Sequence, residues 1–179
     1  IAGTLANIGG VGPYGLYVSG RYLYTANYTA NTFSVIDINN PTSPSLVATT
    51  SVGTGPIAVY VSGRYAYVAN GGAATMSIVD ISNPSAPSVV ATASLGANYP
   101  QDVFVSGRYA YLSTSFNQGL SIVDVSNPAS PSLVTSTVIG GASPQKVIVS
   151  GRYLYTPLFS ATGKLAVLDL GGTEVSSLL

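Results

Sequence analysis

Short runs of apolar residues, broken every few positions by Gly, Pro, Asn or Ser, fill this chain from end to end. No stretch shows the 3.6-residue recurrence of a helix face. Leu16-Tyr17-Val18 is followed by Ser-Gly, then by Tyr22-Leu23-Tyr24-Thr25. A third run, Phe33–Ile38, ends at a Pro-rich link, Asn40-Pro41-Thr42-Ser43-Pro44, and a fourth, Leu46–Val52, mixes Thr and Ser into the apolar pattern. Each run has strand length and is bounded by turn residues. The first is apolar on both faces, as a strand covered on both sides should be. The fourth reads as an outer, partly wetted strand. Proline cannot donate to a sheet ladder, so the link lies outside the sheet.

The whole order then returns. First-run copies are Val59–Val61, Val103–Val105 and Val147–Val149; third-run copies are Met76–Ile81, Leu120–Val125 and Leu165–Leu170. The pentapeptide Val-Ser-Gly-Arg-Tyr occurs four times, its glycines at 20, 63, 107 and 151, spacings of 43, 44 and 44 residues. Four antiparallel strands in a repeat of about 40–45 residues make a β-propeller blade. The expectation is an all-β, single-domain β-propeller of four four-stranded antiparallel blades, with repeats at about 13–55, 56–99, 100–143 and 144–179. Gly9 to Pro13 aligns with Gly96 to Pro100, so residues 1–8 form an outer strand with no blade of their own. Leu178-Leu179 aligns with the beginning of an outer strand that then stops. The N-terminal strand is therefore expected to pair with Leu165–Leu170 and complete the last blade, in the same chain or in a neighbouring copy, because an uncovered edge invites aggregation.

Gly107–Ser113, "GRYAYLS", followed by Leu120–Val134, "LSIVDVSNPASPSLV", resembles the LVIVD repeat, and Met76–Val90, "MSIVDISNPSAPSVV", resembles it equally. The first copy is looser, and the fourth, "LAVLDLGGTEVSSLL", lacks the Asn-Pro pair. The resemblance covers nearly the whole chain. It implies propeller-type repeats of bacterial or archaeal surface or secreted proteins, and it carries no catalytic residues, since the motif is structural.

Charge changes the picture most. Only 7% of the 179 residues are charged, against about 25% in ordinary soluble domains, and the net charge is zero. Neither a nucleic-acid footprint nor a polybasic membrane patch is present. No apolar run approaches the roughly 20 residues of a membrane span, so no membrane insertion is expected. The chain holds no Cys and no His, which removes disulfides, the commonest metal ligand and the commonest general base. It starts at Ile1, which reads as a processed end or a cut inside a longer protein. The Ser/Thr/Asn-rich surface points to an extracellular or cell-surface location. Asn27-Tyr28-Thr29 is a single glycosylation sequon.

Eight of the twelve charges repeat blade by blade. Arg21, Arg64, Arg108 and Arg152 belong to the pentapeptides; Asp37, Asp80, Asp124 and Asp169 belong to the third runs. Both sets fall on the same side of each blade, and the favoured reading is one Arg–Asp staple per blade; the rival is a ligand-binding ring of charges. Asp102 and Lys146 occupy one place in adjacent repeats, just before the innermost strand. They read as an inter-blade ion pair or as a polar feature of a ligand site. The links between second and third strands vary most. Tyr28, Tyr99, Phe116 and Phe159, with Asn117, are candidates for a ligand face suited to sugar or peptide contacts, or for caps on the layers between blades. No Ser-His-Asp set, calcium loop or phosphate loop is present, so no enzyme, metal or cofactor is expected. The reading is a non-enzymatic extracellular scaffold or protein-interaction module. The alternative is a carbohydrate- or peptide-binding module using the variable loops, and further copies of the chain are candidate partners through terminal strand exchange.

Overall fold

The glycine of the pentapeptide sets the first hairpin of every blade. Gly20, Gly63, Gly107 and Gly151 have φ of +58° or +59°, the left-handed region that a glycine-first two-residue hairpin turn requires. The hairpin then hands the chain to the buried strand beginning at the tyrosine of the pentapeptide. A computed structural model describes residues 2–115, 117–139 and 141–171.

The first blade comprises β1 (Pro13–Ser19), β2 (Tyr22–Asn27), β3 (Thr32–Asp37) and β4 (Ser45–Ser51). The second comprises β5 (Pro56–Ser62), β6 (Tyr65–Asn70), β7 (Thr75–Asp80) and β8 (Ser88–Ser94). The third comprises β9 (Pro100–Ser106), β10 (Tyr109–Thr114), β11 (Gly119–Asp124) and β12 (Ser132–Val138). Each is an antiparallel meander in chain order. In the fourth blade the inner strand is split into β13 (Ser143–Pro144) and β14 (Ile148–Ser150), both paired with β15 (Tyr153–Phe159), and β16 (Lys164–Asp169) lies at the edge.

The blades stack face to face. The front of the first blade (Tyr24, Ala26, Phe33, Val35) packs on the back of the second (Val59, Val61, Ala66, Val68, Val79, Ile81). The front of the second (Tyr67, Ala69, Met76, Ile78) meets the back of the third (Val103, Val105, Ala110, Leu112, Val123, Val125). The front of the third (Tyr111, Leu120, Ile122) meets Val147, Leu154 and Leu158 of the fourth. Burial on both sides explains why the middle strands of the first three blades are apolar or small at successive positions rather than alternating. The outer strands β4, β8 and β12 are largely exposed or half-buried, which accounts for their Thr and Ser. Strand β5 is almost wholly buried, whereas its copy β1 is exposed over most of its length because no blade lies behind it.

The expected closing strand is not formed in the single chain. Residues 2–8 carry no strand, and Gly3 lies against the backbone of Pro41 and Thr42 on the first blade. Leu5 and Ile8 face Leu23, Ile36 and Ile38 across an apolar cavity of about 450 Å³. The segment thus covers part of the back of the first blade instead of extending the fourth. The other half of the expectation, Leu178-Leu179, lies outside the described residues.

Candidate ligand-binding face

At one edge of each blade the hairpin turn holds the arginine beside the last residue of the third strand. The register pairs Tyr22 with Asp37, Tyr65 with Asp80, Tyr109 with Asp124 and Tyr153 with Asp169. Backbone bonds from Ile38, Ile81, Val125 and Leu170 to the carbonyls of Arg21, Arg64, Arg108 and Arg152 lock this edge, at 2.7–2.9 Å. Each arginine then donates to the aspartate of its own blade. In the fourth blade the pairing is two-pronged, with Arg152 Nε also donating to Asp169 Oδ1 at 3.0 Å. Every guanidinium also sits over the ring of the tyrosine that follows it, 5.1–5.3 Å from the centroid.

The aspartate has a second duty. Its Oδ1 accepts the amide two residues on, from Asn39, Ser82, Ser126 or Gly171, at 2.8–2.9 Å. The next asparagine repeats the device: Asn40, Asn83 and Asn127 accept from Thr42, Ser85 and Ala129 at 3.1–3.2 Å. Two successive side-chain-to-backbone turns therefore steer the chain out of the third strand and into the proline link. These bonds hold all four carboxylates below their ordinary range. Asp80 lies at about 2, chiefly through the Ser82 hydroxyl and amide and then Arg64. Asp124 also lies at about 2, chiefly through Arg108 and then Ser126. The arginines are mostly exposed, so the ion pair itself is a surface one, and the turn geometry is the larger part of the motif's role.

Asp102 and Lys146 are brought together across the third and fourth blades, Lys146 Nζ lying 3.4 Å from Asp102 Oδ1. The other carboxylate oxygen accepts the Val147 amide at 3.0 Å. The bonded Val147 lies in the break between β13 and β14. Burial pushes the Asp102 carboxyl up, opposed by the Val147 amide and Lys146.

Of the aromatic candidates, Tyr28 and Tyr99 meet, their hydroxyls 3.2 Å apart. Burial and this contact push the Tyr99 phenol up to about 12. Tyr14 packs on Tyr28 with centroids 5.8 Å apart. Tyr14, Tyr28, Ile57, Tyr99 and Gln101 line one cavity of about 370 Å³. Phe159 is largely exposed on β15 and does not line it. Asn117 accepts a bond from Thr114 within its own loop. Phe116 lies outside the described residues. Tyr14, Ile57 and Gln101 went unnoticed in the sequence, though they are one repeat position, the residue after the proline that opens each inner strand. Successive inner strands carry this position around the same rim, and the repeat register alone contains that signal. Asn27 of the sequon is fully buried, with its side-chain nitrogen donating to Thr32 and Ser34 at 3.0 and 2.8 Å, so it is a structural residue in the folded chain.

The LVIVD repeat profile matches residues 14–52, 57–93 and 97–138. The chain belongs to the LVIVD-repeat family. The three matched segments are the three blades that carry the Asp and Asn-Pro turns, and the unmatched fourth is the one without the Asn-Pro pair. Among solved structures, this LVIVD-repeat chain is similar to Kuenenia stuttgartiensis hydrazine synthase, with 21% identity and a TM-score of 0.78 over 95% of this chain and 49% of that one. It is similar to the computationally designed Ika4 protein, with 11% identity and a TM-score of 0.72 over 96% and 98% of the two chains. It also matches the β-propeller domain of Myceliophteria thermophila Cps50 (Swd1), with 14% identity and a TM-score of 0.70 over 89% and 54%. The LVIVD-repeat chain thus spans about half the length of the first and third of these and nearly all of the second. At these identities the likeness is one of fold, a β-propeller. No curated protein matches the chain.

Proposed function

We propose that this LVIVD-repeat protein is a non-enzymatic extracellular or cell-surface scaffold that works by presenting a surface to other proteins. The observation that carries this reading is the free front of the fourth blade, where Ile148, Tyr155, Leu165 and Val167 are all exposed on one side of one sheet. Contiguous exposed apolar side chains of this kind mark interaction sites. Reactive groups, in contrast, are committed to the fold: each repeat arginine is engaged with its own blade's aspartate, and Asp102 with Lys146. Among the described residues, no three His, Cys, Asp or Glu side chains gather as a metal site. The low charge of the surface supports the extracellular placement.

Pull-down from the native host's surface fraction, with Val167→Asp as control, tests the reading. A defined protein retained by the natural chain and lost from the variant is expected. Absence of any protein partner, this chain included, overturns it. So does turnover of esters, lactones or glycosides above background. A second reading, favoured by the tyrosine-lined cavity, is binding of a neutral sugar or peptide there; aromatic faces with one amide suit such ligands. A glycan array and peptide library with Tyr14→Ala and Tyr28→Ala controls test it, and binding unchanged in both variants would count against this cavity.

A further inference from the structure

The fourth blade is built to be covered by another blade. Tyr24, Tyr67 and Tyr111 sit at one rung of the first three blades and are 3%, 4% and 5% exposed, while their third-strand partners Val35, Ile78 and Ile122 are 0% exposed. The same rung of the fourth blade, Tyr155 paired with Val167, is 36% and 54% exposed. The residues are of the same kind at the same register; they differ in that no sheet of the described residues lies in front of them. The back of the first blade is the converse. Leu16 and Val18 are 67% and 53% exposed, whereas their copies Val59, Val61, Val103 and Val105 are buried by the preceding blade.

The N-terminal segment shows what belongs in front of that back face. In the interior of the protein, Leu95, just past the end of an outer strand, is buried in the same cluster as Val123 and Val125 on the back of the following blade. Ile8 aligns with Leu95, and Ile36 and Ile38 align with Val123 and Val125. Ile8 and Leu5 lie across a cavity from Ile36 and Ile38. Residues 3–8 therefore rest where the outer strand of a preceding blade would rest, without the sheet that would hold them. That sheet needs one free edge, and among the described residues β16 pairs only with β15.

We propose that two copies of this chain assemble head to tail, the front of the fourth blade of one covering the back of the first blade of the other, with residues 2–8 donated as the missing outer strand beside the partner copy's β16. This names the partner for the interaction surface and rests on that reading. The occupant is a second copy because the two free faces are the two sides of one interface the chain already makes three times between its own blades. Each face is unlike itself, so like-with-like contact leaves both unsatisfied. Head-to-tail contact satisfies both, and a second such seam between the same two copies would close the assembly instead of propagating it.

Light scattering after size-exclusion chromatography, at rising protein concentration, tests this. The expected mass is twice the 18.1 kDa of the single chain. Val167→Asp and Val18→Asp should each abolish association, because a carboxylate is placed in an apolar seam. Both residues are about half exposed in the single chain, so the circular dichroism spectrum should be unchanged and the melting temperature of the dilute single chain should fall only slightly; Leu165→Asp and Leu16→Asp provide a second pair. A mixture of Val167→Asp with Val18→Asp should regain a dimer, since one intact seam remains. Hydrogen exchange at the β16 amides should slow on association. A monomer at all concentrations, association indifferent to these variants, or a mixture that stays monomeric overturns the proposal. Association without β16 protection overturns the strand donation. A monomer that still captures a foreign protein through Val167 refutes only this inference and leaves the interaction reading standing.

Discussion

Replacing Ile122 by Ala should be far more damaging than replacing Val167 by Ala, although the two residues occupy the same rung of neighbouring blades. Ile122 is fully buried between Tyr111 of its own sheet and the fourth blade's Val147 and Leu154. Its truncation removes three carbon groups, or roughly 2.4 kcal/mol at ~0.8 kcal/mol per buried methylene. A residual cavity adds to this, because strands fixed by ladder bonds on both sides relax little. The total is about 3–4 kcal/mol, within the ~2–5 kcal/mol range of Ile→Ala changes in cores. Val167 loses two carbon groups from a side chain about half exposed, so its cost is roughly 0.8 kcal/mol by the same coefficient. Urea unfolding checks this, followed by the fluorescence of the 13 tyrosines in a chain without Trp, at concentrations low enough to keep the chain single. Equal costs at the two sites, or a cost at Ile122 under about 1 kcal/mol, would refute the claim that the next blade makes that core.

Gly63→Ala should cost ~1–2 kcal/mol purely through backbone conformation, since an added Cβ meets nothing within 4 Å and φ is +58°; a neutral melting curve would contradict the hairpin assignment. Thermal stability should fall as acid titrates the repeat aspartates. A depressed pKa contributes stability that is complete above the ordinary value of about 3.9 and lost as pH falls toward the folded value, which is about 2 for Asp80 and Asp124, and calorimetry between these limits measures it. Asp102 has the opposite sign. Its raised pKa favours the protonated fold, so Asp102→Asn should not destabilise at neutral pH, and a large drop in melting temperature would show that the charge is needed. Arg64→Ala should lower the melting temperature slightly, less so at high salt, because the guanidinium is mostly exposed; a large, salt-independent loss would assign it a buried role.

The fourfold Val-Ser-Gly-Arg-Tyr signal and the Asp-x-x-Asn-Pro signal of the first three repeats were enough to determine four sheets and their strand order. These are local matters: a positive-φ glycine, an aspartate reaching an amide two residues on and a proline outside the ladder act within one blade. The meeting of Asp102 and Lys146 was legible for a related reason, since repeat register places both at one rim. The tertiary structure decided what lies between and beyond blades. Repeat register puts Tyr14, Ile57 and Gln101 at one rim, but only the folded chain brings them into one cavity with Tyr28 and Tyr99. Tyr155 and Val167 read in the sequence like their buried copies, because burial depends on a neighbouring sheet and not on the residues that await it. Residues 2–8 carry the pattern of an outer strand, yet a strand requires a partner edge. In the single chain the segment lies over the apolar back of the first blade, where Leu5 and Ile8 line one cavity with Leu23, Ile36 and Ile38 and hydrophobic burial favours that place.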